Sequence, residues 1–181
     1  MGPTGLERFA SDIRTAWGPI SSELVTSCRQ ALARLTTTDR SEPWLASLHD
    51  EKPASRELIR DPTNGFVLLA HTENAGLFRP PHDHGRAWVV YAVQSGALEI
   101  RTYANVPMQS GNSRLVQRDE TVLRPGEARA YLPGDIHDTR CLSEDALLFR
   151  FTERDLRQED LVEHKVTRFV MHDGCWTAAR P

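Results

Sequence analysis

Two histidines, His82 and His84, stand one residue apart at the start of an apolar run that extends to Val93. We expect a β-strand over 82–93, in which side chains two positions apart point to the same face. Two neutral imidazoles on one face can bind a single ion of iron, zinc, copper or nickel. A third histidine, His137, follows a Pro-Gly turn further along the chain. We expect His137 to complete a mononuclear metal site.

Three histidine ligands without a carboxylate would leave a divalent ion its full positive charge. Such a site attracts an anionic substrate, and a thiolate would suit it because sulfur binds metals in the deprotonated form. Three protein ligands also keep coordination positions open, as catalytic sites do. The alternatives are a surface turn for His82 and His84 and a capping role for His137. Four further histidines lack a partner at a useful spacing and are expected to be structural or exposed: His49, His71, His164 and His172.

Two arginines are candidates for binding the substrate. A guanidinium group matches a carboxylate with two parallel hydrogen bonds. Arg56 lies in the charged segment SRELIRD, where a solvated side chain is the alternative. Arg150 interrupts the apolar run LLFRF. It either faces the inside of the fold, where a charge needs a partner, or points outward.

Three further residues lie close in sequence to the predicted ligands. Trp88 shares the strand parity of His84, which predicts that its ring forms a wall of the site. Tyr91 has the opposite parity, which favours packing in the core or on the outside. Cys141 follows His137 by four positions. A buried, unreactive thiol is the common state of a free cysteine, and a position near the metal is the alternative.

The first 50 residues are predicted to be helical. Apolar residues at a spacing of three or four form one stripe over 6–17 and a second stripe over 22–35. Gly18-Pro19 separates these two helices, and 42–48 is expected to add a short helical turn. About 50 residues would make a small core of their own. We therefore expect these helices to pack against a sheet.

From Arg56 onward the apolar pattern changes toward a period of two. About eight short apolar runs are separated by turn signals such as Asn64-Gly65 and Pro133-Gly134, with a loop expected over 105–112. Frequent turns without long intervening helices indicate a β-barrel or jelly roll. The sequence thus predicts a single domain over 1–181, with a helical cap over 1–50 and a β-barrel over 56–181.

Composition limits the other classes of function. The chain has 181 residues, of which 39% are hydrophobic and 26% charged, with a formal net charge of −3. This balance argues against nucleic acid or an acidic membrane as a partner. We expect no membrane span or secretory signal, and the three distant cysteines suggest no disulfide framework. A cytoplasmic protein with a small-molecule substrate is the expectation, and its oligomeric state is left open.

Two segments resemble the motifs of a known superfamily. The run GLFRPPHDH over 76–84, followed by Gly96, resembles the first motif of the cupins, with Val89 where that motif usually has Glu. The run PGDIH over 133–137 resembles the end of the second cupin motif. In this chain its proline is one place closer to the glycine than usual. The resemblance implies a cupin double-stranded β-helix, or jelly roll, with the N-terminal helices packed outside.

The finer resemblance is to the thiol dioxygenases of the cysteine dioxygenase type. It implies Fe(2+) on His82, His84 and His137, with another divalent metal as the alternative. It also implies that dioxygen oxidises a small thiol carboxylate to its sulfinate, with the carboxylate on Arg56. If Arg56 does not hold the carboxylate, we expect Arg150 to do so. This chain departs from the family on a late strand, where Leu148, Arg150 and Thr152 replace its Ser, His and Tyr. The alternatives are a non-thiol dioxygenase, an isomerase, or a cupin that binds a metal or ligand without catalysis.

Overall fold

A computed structural model describes residues 2–109 and 113–179. Three α-helices come first, at the predicted places: α1 (Gly5–Ala16), α2 (Ser22–Thr36) and α3 (Pro43–Glu51). Thr4 and Glu7 form a capping box at the start of α1, and the Ser21 hydroxyl accepts from the Leu24 N–H at the start of α2. Local capping and the apolar stripes together account for the bounds of α1 and α2.

Eleven strands follow within the described residues. They are β1 (Arg56–Arg60), β2 (Val67–Asn74), β3 (Phe78–His82), β4 (Val89–Ser95), β5 (Leu98–Pro107), β6 (Ser113–Leu123), β7 (Ala128–Tyr131), β8 (Ile136–Cys141), β9 (Asp145–Thr152), β10 (Phe169–His172) and β11 (Cys175–Ala178). A π-helical turn, Gln158–Val162, lies between β9 and β10. These strands lie in the region from Arg56 onward that the sequence predicted to form the barrel.

The first nine strands form two antiparallel sheets. One has the order β1-β2-β9-β4-β7 and the other has the order β3-β8-β5-β6. Residues from both sheets share one buried cluster, which includes Val93, Leu98, Ile100 and Leu148. Two facing antiparallel sheets with these crossovers form a jelly roll, so the predicted mainly β fold is confirmed. The hairpin of β10 and β11 pairs apart from both sheets.

The helices cover the outer face of the five-stranded sheet. Phe9 and Ile13 of α1 and Leu32 of α2 share a buried cluster with Phe149 and Phe151 of β9. The middle strands of this sheet are therefore buried on both faces, which explains their nearly continuous apolar sequences. The prediction that the N-terminal helices pack on the outside of the barrel is confirmed.

The predicted strand over 82–93 is wrong. Strand β3 ends at His82 and β4 begins at Val89, because these two strands belong to different sheets. The chain crosses from one sheet to the other through a turn at Gly85, whose φ is +63°, a left-handed conformation that favours glycine. Side-chain parity therefore does not carry from the histidines to Trp88 and Tyr91.

The predicted loop over 105–112 begins later than expected. Strand β5 continues to Pro107, which pairs with Ser113 at the end of the hairpin with β6. Proline is tolerated there because the end of a hairpin needs no further ladder hydrogen bond from it. The remainder of that prediction, 110–112, lies outside the described residues. No helix among those described is long and apolar enough to cross a bilayer.

Candidate metal centre

The three predicted ligands lie together at the end of the barrel. His82 is the last residue of β3 and pairs directly with His137 of β8, while His84 follows in the turn toward β4. The ring centroids are 5.2 Å apart for His82 and His84, and His137 lies 5.0 Å from each of them. One nitrogen from each ring lies within 4.8 Å of the others. This triangle is compact enough for one ion to bind all three rings.

Backbone contacts orient the two histidines of the first motif. The Nδ1–H of His82 donates to the Pro80 carbonyl at 2.9 Å, which leaves its Nε2 free for a metal. Asp83, between the two histidines, accepts from the Gly85 N–H at 2.9 Å and from the Thr167 N–H at 2.8 Å. The Asp83 N–H donates to the Thr167 carbonyl at 3.0 Å. The turn that carries His84 is thus fixed to the segment before β10.

A buried carboxylate makes the second connection between this turn and the same segment. Glu159, in the π-helical turn, accepts from the Arg86 backbone N–H at 3.2 Å and from its Nη2 at 2.8 Å. Arg154 donates to Glu159 at 3.2 Å. A Cβ on Gly85 would lie 2.9 Å from Glu159 Oε2 and 2.9 Å from Lys165 Cβ. Only glycine fits this close approach without a shift of its neighbours.

The electrostatic environment favours the neutral form of all three histidines. Burial lowers the pKa of His82, and it lowers the pKa values of His84 and His137 well below the usual range. The positive charge of Arg150 adds to all three shifts. Nδ1 of His84 and both ring nitrogens of His137 are buried without a hydrogen-bond partner in the described residues. Imidazoles in the neutral form, with ring nitrogens that have no other partner, fit a divalent metal.

A cavity of about 720 Å³ is lined by His82 and His84 of the triad. Its wall carries four arginines, of which Arg79 is held by Glu73 and Arg168 is held by Asp160. The other two, Arg150 and Arg157, form no ion pair among the described residues. Arg157 is exposed, whereas Arg150 is half-buried and its Nε is buried without a partner. Arg150 is thus the cation best placed to receive an anionic group.

The two arginines predicted to bind substrate have different places. Arg150 faces the cavity, opposite Tyr91 on the neighbouring strand. Arg56 is the first residue of β1, and its guanidinium donates to the Ser47 hydroxyl at 2.8 Å and to Glu51 at 2.5 Å. Both partners belong to α3, on the helical side of the sheet. Arg56 is not among the described residues that line the cavity, so we leave it out of the proposed site.

Tyr91 belongs to the site, although strand parity predicted otherwise. Its hydroxyl lies 3.2 Å from Nε2 of His84, and its ring packs edge-on against His137. Burial raises the pKa of Tyr91 above its usual value, and the neighbouring guanidinium of Arg150 opposes that shift. Trp88 instead packs against Phe151 in the cluster under the helices. Both errors come from carrying parity through the turn at Gly85.

The structure also gives the places of His71, which was expected to be structural or exposed, and of Cys141, which was expected to be a buried thiol or to lie near the metal. His71 is buried in the cavity wall, with Nδ1 donating to the Ala54 carbonyl at 3.2 Å. Burial and the charge of Arg150 lower its pKa to about 3. His71 and Glu73 lie two positions apart on β2, so their side chains point to the same face, toward the cavity. This spacing is the sequence signal that could have placed His71 in the cavity wall. Cys141 is a buried thiol that donates to the Glu73 carbonyl at 3.3 Å, and it does not line the cavity.

Comparisons with known proteins give partial likenesses. No family model and no curated protein matches the chain. Among solved structures, KdgF from Halomonas sp. is 19% identical over 56% of this chain and 78% of its own, with a TM-score of 0.43. The Cnp3 cupin domain of Schizosaccharomyces pombe is 11% identical over 59% of this chain and 68% of its own, with a TM-score of 0.43.

Oxalate oxidase in complex with the substrate analogue glycolate is 22% identical over 64% of this chain and 54% of its own, with a TM-score of 0.42. Cupin proteins are thus among the structures similar to part of this chain. The fold itself is established by the strand pairing described above. The finer resemblance to the cysteine dioxygenase type stays a prediction.

Proposed function

We propose that this protein is a mononuclear metal-dependent dioxygenase that oxidises a small thiol carboxylate to its sulfinate. The observation that carries the proposal is the compact triad of His82, His84 and His137, of which His82 and His84 line a cavity that also contains Arg150. Iron is the proposed metal. When bound, it supplies the redox chemistry with dioxygen that amino-acid side chains lack.

The three histidines would hold the metal without adding negative charge. A thiolate is attracted to such a centre, since the ion keeps its +2 charge in a partly desolvated cavity. Both atoms of dioxygen end on the sulfur of the sulfinate, so the reaction needs no added reductant. The contribution of the protein is to hold the substrate in a fixed position, which replaces a random collision by an oriented approach.

Arg150 would receive the substrate carboxylate. A guanidinium group without an ion pair in a half-buried position can offer two parallel hydrogen bonds. His71 stays neutral beside it because its pKa is lowered to about 3. Arg150 therefore has no neighbouring imidazolium with which to share an incoming anion, and the carboxylate is directed to the guanidinium.

The size of the cavity favours one alternative within the same class. A volume of about 720 Å³ lies in the range of pockets that bind drug-sized ligands, roughly 300–1,000 Å³. It exceeds what a single amino acid fills, which favours a larger carboxylate. A metal-dependent cupin enzyme acting on a non-thiol carboxylate is therefore the second candidate.

Oxygen uptake by the iron-loaded protein tests the proposal. The protein is loaded with Fe(II) without air, then given cysteine, 3-mercaptopropionate or cysteamine, and oxygen is admitted. We expect uptake and sulfinate formation with the carboxylates, and weaker turnover of cysteamine, which lacks a carboxylate for Arg150. Zinc-loaded protein is the matched control, because zinc has no redox chemistry. No uptake with any thiol would refute the thiol chemistry, and uptake with a non-thiol acid would support the second candidate.

A further inference from the structure

The cavity that contains Arg150 has apolar side chains on its open side. Leu77, Leu161 and Val170 all line this cavity, yet each of them is exposed to solvent. They come from three separate places in the chain, namely the residue before β3, the π-helical turn and β10. Single exposed aliphatic side chains are ordinary on a protein surface, but three that converge on one cavity indicate a surface that a ligand covers. We call these three residues the aliphatic rim.

Apolar side chains also line the cavity wall below the aliphatic rim. Leu148 lies two positions before Arg150 on β9, so the two side chains share one face of the sheet. Leu156 lines the same cavity and packs against the buried cluster that contains Leu148. Leu161 follows in the same segment between β9 and β10. The wall therefore has apolar side chains from the strand that carries Arg150 to the rim.

The other cations of the wall compete poorly with Arg150 for an anion. Arg168 donates to Asp160 in two hydrogen bonds of 2.7 and 2.5 Å, so this pair is neutral overall. Arg157 is exposed to water, where an ion pair contributes little. Arg150 alone combines a half-buried position with a buried Nε that has no partner among the described residues. The cavity thus matches a ligand with one anionic group and an apolar remainder.

We propose that the substrate is a carboxylate with an extended apolar chain, its carboxylate on Arg150 and its chain against Leu161 and the rest of the aliphatic rim. The cavity volume of about 720 Å³ leaves room for such a chain. This inference rests on the contact between the carboxylate and Arg150 in the proposed function, but not on the thiol or on the reaction. Leu161 would select for chain length, because it is the most exposed residue of the rim and loses most contact with water when a chain covers it.

Calorimetric titration of the zinc-loaded protein with straight-chain carboxylates tests this inference without turnover. Butanoate, hexanoate and octanoate share one anionic group and differ only in chain length. The Kd should fall as the chain lengthens, by up to about fourfold for each methylene group that enters the cavity. The heat capacity change of binding should become more negative in the same order, since more apolar surface leaves water. Metal-free protein should give the same order, because neither contact involves the metal.

Two neighbouring exposed residues provide a matched pair of variants. Leu161 lines the cavity and is 68% exposed, whereas Val162 is 63% exposed and is not among the described residues that line it. Leu161→Ser should raise the Kd of octanoate about fivefold, which corresponds to about 40 Å² of apolar surface that no longer becomes buried, and should leave the Kd of butanoate unchanged. Val162→Ser should leave both Kd values unchanged. Arg150→Gln should instead weaken all three carboxylates by the same factor of about ten, since they share the group that it binds.

Three results would overturn the inference. Equal Kd values for butanoate and octanoate would remove the apolar chain from the cavity. Equal effects of Leu161→Ser and Val162→Ser on octanoate would show that Leu161 serves the outer surface and not the cavity. Undiminished binding of the carboxylates by Arg150→Gln would remove the anionic contact. Chain-length-dependent binding without oxidation of any thiol would support the inference and refute the thiol chemistry alone.

Discussion

Replacing His71 by Asn should make the stability of the metal-free protein less sensitive to acid. His71 is 8% exposed, and burial together with Arg150 lowers its pKa from 6.5 to about 3. In the unfolded chain His71 takes up a proton below about pH 6.5, whereas in the folded chain it stays neutral down to about pH 3. Stability is therefore fully present above pH 6.5 and is lost as the pH falls.

The magnitude of this loss follows from proton linkage. One group between its two pKa values changes the free energy of unfolding by about 1.36 kcal/mol per pH unit. His71 alone should thus remove about 2 kcal/mol between pH 6.5 and pH 5. Asn is the chosen replacement because its amide can still donate to the Ala54 carbonyl, as Nδ1 of His71 does.

Urea denaturation in the presence of a chelator, at intervals from pH 7 to pH 5, measures the effect. The wild-type protein should lose stability more steeply than His71 alone predicts, because the pKa values of the three histidines of the triad are also lowered. His71→Asn should flatten that slope by about one proton. His172→Asn is the matched control, since this side chain is exposed. Equal slopes for wild type and His71→Asn would show that His71 is not held neutral in the fold.

Three further substitutions distinguish the parts of the site. Arg150→Lys should raise the KM for a thiol carboxylate about tenfold or more, since an ammonium cannot reproduce the paired hydrogen bonds. The KM for cysteamine is the control, and an unchanged KM for the carboxylate would remove Arg150 from substrate binding. Arg56→Lys should leave both KM values unchanged, because its guanidinium contacts α3, and a raised KM would place it back in the site. Glu159→Ala should lower the free energy of unfolding by about 1–3 kcal/mol and weaken metal binding, as measured by urea denaturation and metal competition. Glu163 is more exposed, so Glu163→Ala should change both quantities little. Equal losses in the two variants would contradict the role of the buried carboxylate.

Sequence pattern was sufficient to predict the N-terminal helices and the grouping of the three candidate ligands. The stripes over 6–17 and 22–35 matched α1 and α2 because local spacing and capping determine where amphipathic helices form. His82, His84 and His137 were also predicted together, and the structure brings them to one point. Turn residues such as Gly85 signal a break in the chain but not which sheet the next strand joins.

The places of Tyr91, Trp88 and Arg56 depend on tertiary structure. The crossing between sheets after His84 reverses the parity that an unbroken strand would give, so Tyr91 faces the cavity and Trp88 faces the helices. Arg56 was assigned to substrate by resemblance, yet a partner on α3 competes for its guanidinium. Long-range pairing decides the places of Tyr91 and Trp88 and no local pattern records it, whereas the partners of Arg56 lie only 9 and 5 residues before it.

Elemental analysis of protein purified without added metal tests the central claim most directly, when wild type is compared with His137→Ala. His137 is fully buried between two strands and pairs with His82, so its loss removes one ligand and leaves the other two in place. We predict about one equivalent of metal per chain in the wild type, mostly iron, and a severe loss in the variant. Wild-type protein without bound metal, or full occupancy in His137→Ala, would contradict the three-histidine centre.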